Sequence, residues 1–398
     1  MKRIAFLGAS QSQIPLIEYA KNQGHYCITI DNVPSNPGHE LSDESLNIST
    51  LDTEGVYQSI KDKNIDAVIS YASDIATPTA AMVSERLGLK SNSISSVVKL
   101  TDKVEFRNSL KQLGLNVPKV WEYRLGEDWI LPVTQEPKLI IKPVDSAGTK
   151  GVSLVENRIA EINKGIDYAL TFSSSKRVII EELIDNYKGD VHGDGFVVNG
   201  QLKFLHLGDH LYDLHINGLN PTGTTWPSVL PSYRLEMVEA AVGKIVDYVG
   251  FQNGSINVEA RFNSKDELFI MEIGPRNGGY FVPLAIKHSS GVDLVEATLN
   301  QITNEEVGIS ESKQNKSVAY YAIHARTSGK LVEVVISDWL NERIIQREEI
   351  KNIGDNVEMF INSSGVIAVI LILFQDQNEM NVFANNTDQH INVIVNDF

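Results

Sequence analysis

Residues Gly254–Gly279 read GSINVEARFNSKDELFIMEIGPRNGG. Two runs of alternating apolar residues flank the turn-forming residues 263–266, and this pattern predicts a β-hairpin. With the turn centred between Lys265 and Asp266, Glu259 is expected directly opposite Glu272, and Asn257 opposite Gly274. The other face is predicted to be core, with Ile256, Val258, Ala260 and Phe262 against Phe269, Met271 and Ile273.

The two facing glutamates need an explanation, because like charges directly opposite each other destabilise a strand pair. A cation between them would remove the repulsion. Mg²⁺ suits the pair, since it is often held by one or two carboxylates together with substrate phosphates, and Mn²⁺ is an alternative. Two other interpretations remain open: both glutamates are solvated on an edge hairpin, or a turn of odd length places them on opposite faces.

Composition restricts the class of protein. The chain has 398 residues, 42% apolar and 22% charged, which is typical of a soluble globular protein of two to four domains. The net charge of −16 argues against a nucleic-acid or anionic-membrane surface. The single cysteine excludes a disulfide within the chain. The opening run is predicted to be a strand rather than a signal peptide, Val366–Phe374 is too short to span a bilayer, and a cytoplasmic protein is expected.

Residues 1–100 alternate strand and helix patterns, which predicts a parallel sheet in an open α/β domain. The loop Gly8–Gln13 resembles the first turn of a dinucleotide site, but the second and third glycines of G-x-G-x-x-G are absent. This loop and Tyr71–Asp74 are expected at the carboxyl ends of the strands. There they either contact a substrate or form only tight turns.

The next segment carries a candidate phosphate site. Leu100–Leu113 is predicted to be a helix capped by Thr101. In the strand Leu139–Val144, Lys142 interrupts an apolar run, and a buried lysine needs a charged partner, which a phosphate would provide. The loop that follows is rich in small residues and would let backbone N–H groups contact phosphate oxygens. An ordinary flexible hairpin turn is the alternative.

Three further regions complete the survey. The strand Arg177–Leu183 could offer backbone groups and a carboxylate to a purine and a ribose. Residues 206–231 are predicted to form a long irregular loop of the kind used as a lid. Its three histidines, His206, His210 and His215, lack the i,i+4 spacing of a helical zinc site. Residues from about 305 onward are predicted to be mostly β.

Taken in order, these features resemble the ATP-grasp superfamily, most closely its carboxylate–amine ligases. The resemblance implies a mixed α/β and α+β multidomain fold. The expected parts are a Rossmann-like domain (1–100), a small ATP-grasp subdomain (101–190), a large ATP-grasp subdomain with the metal site (191–305) and a mostly β C-terminal domain (306–398).

The resemblance also assigns roles by position. Lys103 and Lys142 match lysines that contact ATP phosphates, and Arg276 matches an arginine that neutralises the γ-phosphate or a developing acyl phosphate. The loop over the phosphates corresponds to Ser146, Ala147, Gly148, Thr149 and Gly151. The strand bordering the adenine corresponds to Glu181, Glu182 and Leu183, and Asp190 stands where a ribose-binding glutamate is usual. The metal ligands correspond to Glu259 and Glu272.

One position departs from the pattern. Many members of the superfamily have asparagine where this chain has Gly274. Asn257 is expected to face that position, and we hypothesise that it supplies the missing oxygen to the metal. Similar glycine-bearing versions occur among amino-acid ligases of the superfamily, which favours an amino acid as one substrate.

The implied reaction uses ATP and Mg²⁺ to join a small-molecule carboxylate to an amine through an acyl phosphate. A carboxylase or formyl-type enzyme of purine synthesis, which activates bicarbonate or formate, is the alternative. A nucleotide-binding module without catalysis would be expected to lack Glu259, Glu272 or Arg276, and all three are present. His210, His215 and His288 are candidate bases for the amine, and a homodimer is the default oligomeric state.

Overall fold

The computed structural model describes residues 1–127, 134–216, 218–309 and 316–396. The N-terminal part is an open α/β unit whose four parallel strands lie in the order β3-β2-β1-β4. The predicted parallel sheet is therefore confirmed. Its elements are β1 (Arg3–Leu7), α1 (Ile14–Asn22), β2 (Tyr26–Ile30), α2 (Gly38–Leu41), β3 (Glu44–Leu46), α3 (Thr53–Ile60), β4 (Ala67–Ile69) and α4 (Thr77–Arg86).

Two helices lead out of this unit, α5 (Ile94–Thr101) and α6 (Lys103–Gln112). The prediction of one helix capped by Thr101 is wrong, because the chain breaks at Asp102. The Asp102 carboxylate accepts hydrogen bonds from the Val104 and Glu105 amides at 2.9 and 3.1 Å. Aspartate is a stronger N-cap than threonine, so the new helix begins immediately after it.

A small antiparallel sheet follows, in the order β5-β8-β6-β7. Its elements are β5 (Val120–Arg124), β6 (Lys138–Pro143), β7 (Ser153–Glu156), α7 (Ile159–Phe172) and β8 (Arg177–Glu182). Ile162 and Ile166 on α7 pack against Leu139 and Ile141 on the sheet. Residues 134–137, which precede β6, form neither helix nor strand.

An eight-stranded antiparallel sheet forms the largest layer, in the order β13-β12-β9-β10-β11-β14-β18-β16. The elements of its first half are β9 (Gly189–Val198), β10 (Gln201–Tyr212), β11 (Pro221–Trp226), α8 (Ser232–Val249), β12 (Gly254–Phe262), β13 (Leu268–Gly274), α9 (Val282–Ser290) and α10 (Leu294–Thr303). Helix α8 covers one face of the sheet through Val238, Val242 and Ile245.

The prediction of one irregular loop over residues 206–231 is wrong, because β10 and β11 occupy half of this range. The threonines of β11 are buried, and their side chains form contacts within the sheet. For example, the Thr224 hydroxyl lies 3.2 Å from Nδ1 of both His192 and His210. Polar residues are typical of loops, and the sequence alone does not show the partners that they have in the sheet. The local pattern therefore predicted a loop.

The C-terminal part is mostly β, as predicted. Its elements are β14 (Val318–His324), β15 (Gly329–Ile336), α11 (Asp338–Asn341), β16 (Ile344–Glu349), β17 (Asn356–Val357), β18 (Val366–Leu373), α12 (Gln377–Asn385), α13 (Thr387–His390) and β19 (Ile391–Asn396). Strands β14, β18 and β16 extend the large sheet, while β17, β15 and β19 form a separate one. In the described part of the chain, no helix combines the length and apolar character needed to cross a membrane.

Candidate active site

The hairpin of β12 and β13 has the predicted register at its open end. Glu259 pairs with Glu272, and Asn257 pairs with Gly274. A bulge at Met271 then shifts the rest of the pairing, so that Ala260 faces Ile270 and the predicted core position of Met271 is wrong. The bulge leaves the Met271 carbonyl free to accept a hydrogen bond of 2.8 Å from Arg107.

The facing glutamates lie in an unfavourable electrostatic environment. Burial, and then the charge of Glu272, raise the pKa of Glu259 to about 7. A cation between the two carboxylates would stabilise their charged forms and so lower the pKa of Glu259. This pair therefore fits the Mg²⁺ that the resemblance implies.

Asn257 is buried beside this pair, and its Nδ2 donates to Asp194 Oδ1 at 2.7 Å. The amide oxygen is therefore the acceptor left for a ligand, and its role as a metal ligand stays a prediction. Within the described ranges, no three His, Cys, Asp or Glu side chains are grouped as a metal site would require. A cation here would thus rely on the two carboxylates, an amide oxygen and phosphate oxygens.

Two predicted phosphate-binding cations lie across the cleft from the hairpin. The Lys103 ammonium donates to the Ser146 carbonyl at 2.7 Å. Lys142 is paired with Glu181, with 2.5 Å between Nζ and Oε2. A glutamate of the chain therefore provides the charged partner that this buried lysine needs, where a phosphate was expected. Burial lowers the pKa of Lys142, although Glu181 opposes this effect.

Arg276 is held by a residue of the N-terminal unit. Its Nε and Nη2 donate to the two carboxylate oxygens of Asp74 at 2.9 and 2.6 Å. Burial would lower the pKa of Arg276, but the bidentate pair with Asp74 outweighs burial and keeps the guanidinium charged. Asp74 belongs to the Tyr71–Asp74 loop that was expected to border the crevice.

The loop after β6 lies over the cleft. Gly148 and Thr149 adopt left-handed φ angles of 67° and 61°, which aim their backbone differently from a strand. The Thr149 hydroxyl donates to Asn220 Oδ1 at 3.1 Å, and the Ser363 hydroxyl donates to the Gly148 carbonyl at 3.4 Å. The loop is therefore tethered both to the large sheet and to the C-terminal part.

These groups line one cavity of about 320 Å³. It brings together most of the predicted site residues, which are Lys103, Lys142, Ser146, Ala147, Gly148, Thr149, Glu181, Glu182, Leu183, Asn257, Glu259, Glu272 and Arg276. Gly151 and Asp190 do not line this cavity. The Asp190 carboxylate instead accepts from Arg261 at 2.8 Å and from the Tyr212 hydroxyl at 2.5 Å.

Arg261 was not predicted as a site residue, but it lines the cavity, whereas the predicted Asp190 does not. Strand periodicity could have found it, because Asn257, Glu259 and Arg261 alternate along β12 and so share a face. It also missed Arg107, whose Nε donates to Glu181 at 2.6 Å from 74 residues away. No local pattern signals such a distant pair.

None of the three candidate bases lines this cavity. His210 is buried and stacked on His192, and burial lowers its pKa. His215 pairs with Asp388 at the surface, and His288 lies in α9. The histidine at the cavity wall is His192, and burial holds its pKa well below the usual range, so it is neutral. A base for the amine is not assigned.

Comparisons with known proteins agree with this geometry. A family model of the ATP-grasp domain matches residues 100–280. An alanine–anticapsin ligase of Bacillus amyloliquefaciens is 22% identical over 343 residues, 80% of this chain and 72% of that protein. A formate-dependent phosphoribosylglycinamide formyltransferase of Francisella tularensis is 28% identical over 313 residues, 75% of this chain and 74% of that protein. The crystal structure of an L-amino acid ligase from Bacillus licheniformis has a TM-score of 0.84 at 18% identity, covering 100% of this chain and 99% of that chain.

The ATP-grasp domain family therefore matches residues 100–280 of the chain, and the overall fold is like that of the L-amino acid ligase structure. The resemblance deduced from its sequence is confirmed.

Proposed function

We propose that the protein forms an amide bond between a carboxylic acid and an amine, through an acyl phosphate, with release of ADP and phosphate. The observation that carries this proposal is the cavity itself. The facing Glu259 and Glu272, the cations Lys103, Lys142 and Arg276, and the loop after β6 all meet there.

In the first step, an oxygen of the acid attacks the γ-phosphorus of ATP. The bond from that phosphorus to the β,γ-bridging oxygen breaks, and ADP leaves. Phosphoryl transfer depends on positioning and charge neutralisation more than on a general base. Lys103 and Lys142 are placed to bind phosphate oxygens, and Arg276 to neutralise the transferred group. Mg²⁺ held by Glu259, Glu272 and Asn257 would supply Lewis-acid polarisation and orientation of the phosphates.

In the second step, the amine nitrogen attacks the acyl carbon. The bond from that carbon to the phosphate oxygen breaks, and the nitrogen loses a proton. An acyl phosphate reacts readily with water, so the site must exclude it. The loop of residues 146–151, tethered by Thr149 and Gly148, covers the cleft and serves this purpose.

An amino acid is the substrate we favour for one side of the bond. The support is the likeness to an alanine–anticapsin ligase and to an L-amino acid ligase. The alternative, a formyl-type or carboxylating enzyme that activates formate or bicarbonate, is supported by the 28% identity to a formyltransferase.

The test is ADP release with ATP and Mg²⁺ across a matrix of carboxylic acids and amines. We expect turnover only when both an acid and an amine are present, and its loss in Glu272→Ala. Glu239→Ala, at an exposed position on α8, is the matched control and should retain turnover. Turnover with formate or bicarbonate and no other acid would favour the alternative. ATP binding without turnover across a broad matrix would contradict the ligase.

A further inference from the structure

A second cavity, of about 470 Å³, adjoins the candidate active site between the N-terminal unit and the small sheet. Its size falls in the range of small-molecule sites. Its walls are mainly apolar, formed by Leu51, Ile75, Pro78, Met82, Val98, Leu100 and Phe172. We refer to it as the apolar cavity.

Four of the apolar side chains in this cavity are unusually exposed to solvent for their residue type. Leu51 is 53% exposed, Ile75 42%, Phe172 39% and Met82 36%. They come from separate segments of the chain and converge on one space. Single exposed apolar residues need no explanation, but a converging set is typical of a binding site.

The apolar cavity is continuous with the phosphate end of the active site. The two cavities share Asp74, Lys103, Ser146, Lys150 and Glu272 in their walls. Gly274 also lines the apolar cavity, and a β-carbon there would lie 2.5 Å from Asp74 Oδ1. The absence of a side chain at Gly274 thus leaves room beside the metal-binding glutamates.

Two lysines, Lys103 and Lys150, offer an anion a partner where the apolar cavity meets the active site. Three of its carboxylates already have partners: Asp74 pairs with Arg276, Asp102 pairs with Arg177, and Asp145 accepts hydrogen bonds from Ser173 and Ser174. Glu272 faces Glu259 at the proposed metal site. Among the described residues, Lys103 donates to a neutral carbonyl, so its ammonium can contact a ligand carboxylate as well as a phosphate oxygen.

A third cavity, on the other side of the site, has the opposite character. It has about 880 Å³ and reaches the active site at Gly279 and Tyr280. It is lined by the carboxylates Glu18, Asp293, Glu348 and Glu349. Its lysine, Lys287, is paired with Asp293 at 2.5 Å. Carboxylates predominate in this cavity and would disfavour a carboxylic acid, whereas the apolar cavity has Lys103 and Lys150 at its mouth.

We propose that the apolar cavity binds the organic part of the carboxylic-acid substrate and selects acids with an apolar chain or ring. The carboxylate would then lie at the mouth, next to Glu272 and Lys103. This inference rests on the proposed ligase function. It deepens that function, because formate and bicarbonate have no apolar part to fill such a space.

Direct binding tests the inference without requiring turnover. Affinities of straight-chain acids from propanoate to octanoate would be measured by calorimetry, with Mg²⁺ and a non-hydrolysable ATP analogue present. Each added methylene should tighten binding about fourfold until the cavity is full. Leucine and phenylalanine should bind more tightly than aspartate and lysine.

Two variants place a charge in the cavity, Leu51→Asp and Met82→Asp. Each should weaken octanoate binding at least tenfold while the affinity for the ATP analogue stays the same. Val382→Asp is the matched control, because Val382 is 54% exposed, as Leu51 is, but lies on α12. It should leave octanoate binding unchanged.

The outcomes separate this inference from the proposed function. Affinity that does not depend on chain length, or that is unchanged in both variants, would overturn the inference, as would no binding of any acid. Chain-length-dependent binding that is lost in both variants would support it even if no amine gave turnover. That last result would count against the ligase reaction alone.

Discussion

Glu181 is the residue on which the cations of the cleft depend most directly. Its carboxylate accepts from Arg107 at 2.6 Å and lies 2.5 Å from Lys142, and all three side chains are largely buried. Burial alone would raise the pKa of Glu181, but the two cations outweigh it and hold that pKa at about 2. The glutamate therefore positions Lys142 rather than binding the nucleotide through its own carboxylate.

Glu181→Gln should destabilise the protein by about 3 to 5 kcal/mol, because it leaves two buried cations without a compensating charge. Urea unfolding at pH 7 would measure the loss. The neighbouring Glu182→Gln is the control: its partner Lys119 is 67% exposed, so the cost should be about 1 kcal/mol or less. Equal losses in the two variants would contradict the assigned role.

The same residue predicts a pH dependence. The pKa of Glu181 is about 2 in the folded state and about 4.3 in the unfolded state. The stabilisation that ionised Glu181 contributes is therefore fully present above about pH 4.3. It should be lost as the pH falls toward 2. The difference in unfolding free energy between the wild type and Glu181→Gln should therefore narrow between about pH 4.5 and pH 2. A constant difference across that range would show that ionisation of Glu181 is not its source.

Local pattern accounts for part of the site at this scale. The alternation and turn residues of the hairpin suffice to place Glu259 opposite Glu272, because both strands are adjacent in sequence. The partners of Glu181, Asp190 and Arg276 were not predictable in this way. Arg276 meets Asp74 from 202 residues away, and only the assembled fold brings them together.

The loop after β6 is the element that covers the candidate active site. Hydrogen bonds hold it over the cleft: Thr149 donates to Asn220, Ser363 donates to the Gly148 carbonyl, and Lys103 donates to the Ser146 carbonyl. An element held by so few contacts can open and close, and nucleotide entry requires such opening.

Thr149→Val keeps the shape of the side chain and removes the hydroxyl donor. A neutral hydrogen bond contributes about 0.5 to 1.5 kcal/mol, so the KM for ATP should rise about two- to tenfold. Trypsin should also cleave more quickly after Lys150. Thr171→Val, at an exposed position on α7, is the control and should change neither measurement. An unchanged cleavage rate in Thr149→Val would contradict the tethering.

Apolar patterning was a reliable guide to whole elements, as in the strands β1, β6 and β8. It failed at β10 and β11, where buried threonines and histidines satisfy one another across strands. The pairing partners, not the local residues, make those segments strands. The bulge at Met271 has a similar origin, since its carbonyl is used by Arg107 on α6.

The large sheet joins the ATP-grasp domain to the C-terminal part of the molecule. β11 pairs along one edge with β14, and the Trp226 and Tyr320 rings lie 5.9 Å apart in the core behind them. β18 then follows β14 with residues 366–372 buried. The separate C-terminal domain stays a prediction. Three of its strands, β14, β18 and β16, share a sheet with the ATP-grasp domain.

A chain ending at residue 305 should consequently fail to fold. Removing β14 would leave the edge of β11 unpaired and would expose Trp226, which is fully buried. We expect aggregation on size-exclusion chromatography and no cooperative thermal transition. A soluble, monomeric fragment with a sharp transition would contradict the dependence of one part on the other.

The central claim, that the protein activates a carboxylic acid as an acyl phosphate, has one direct test. An acid that supports ADP release would be labelled with ¹⁸O in its carboxylate and turned over with ATP and an amine. The account predicts that each phosphate released carries one ¹⁸O atom, because the acid's own oxygen forms the bond to phosphorus. Phosphate without ¹⁸O, released at the same rate as the amide, would contradict the acyl phosphate and with it the proposed reaction.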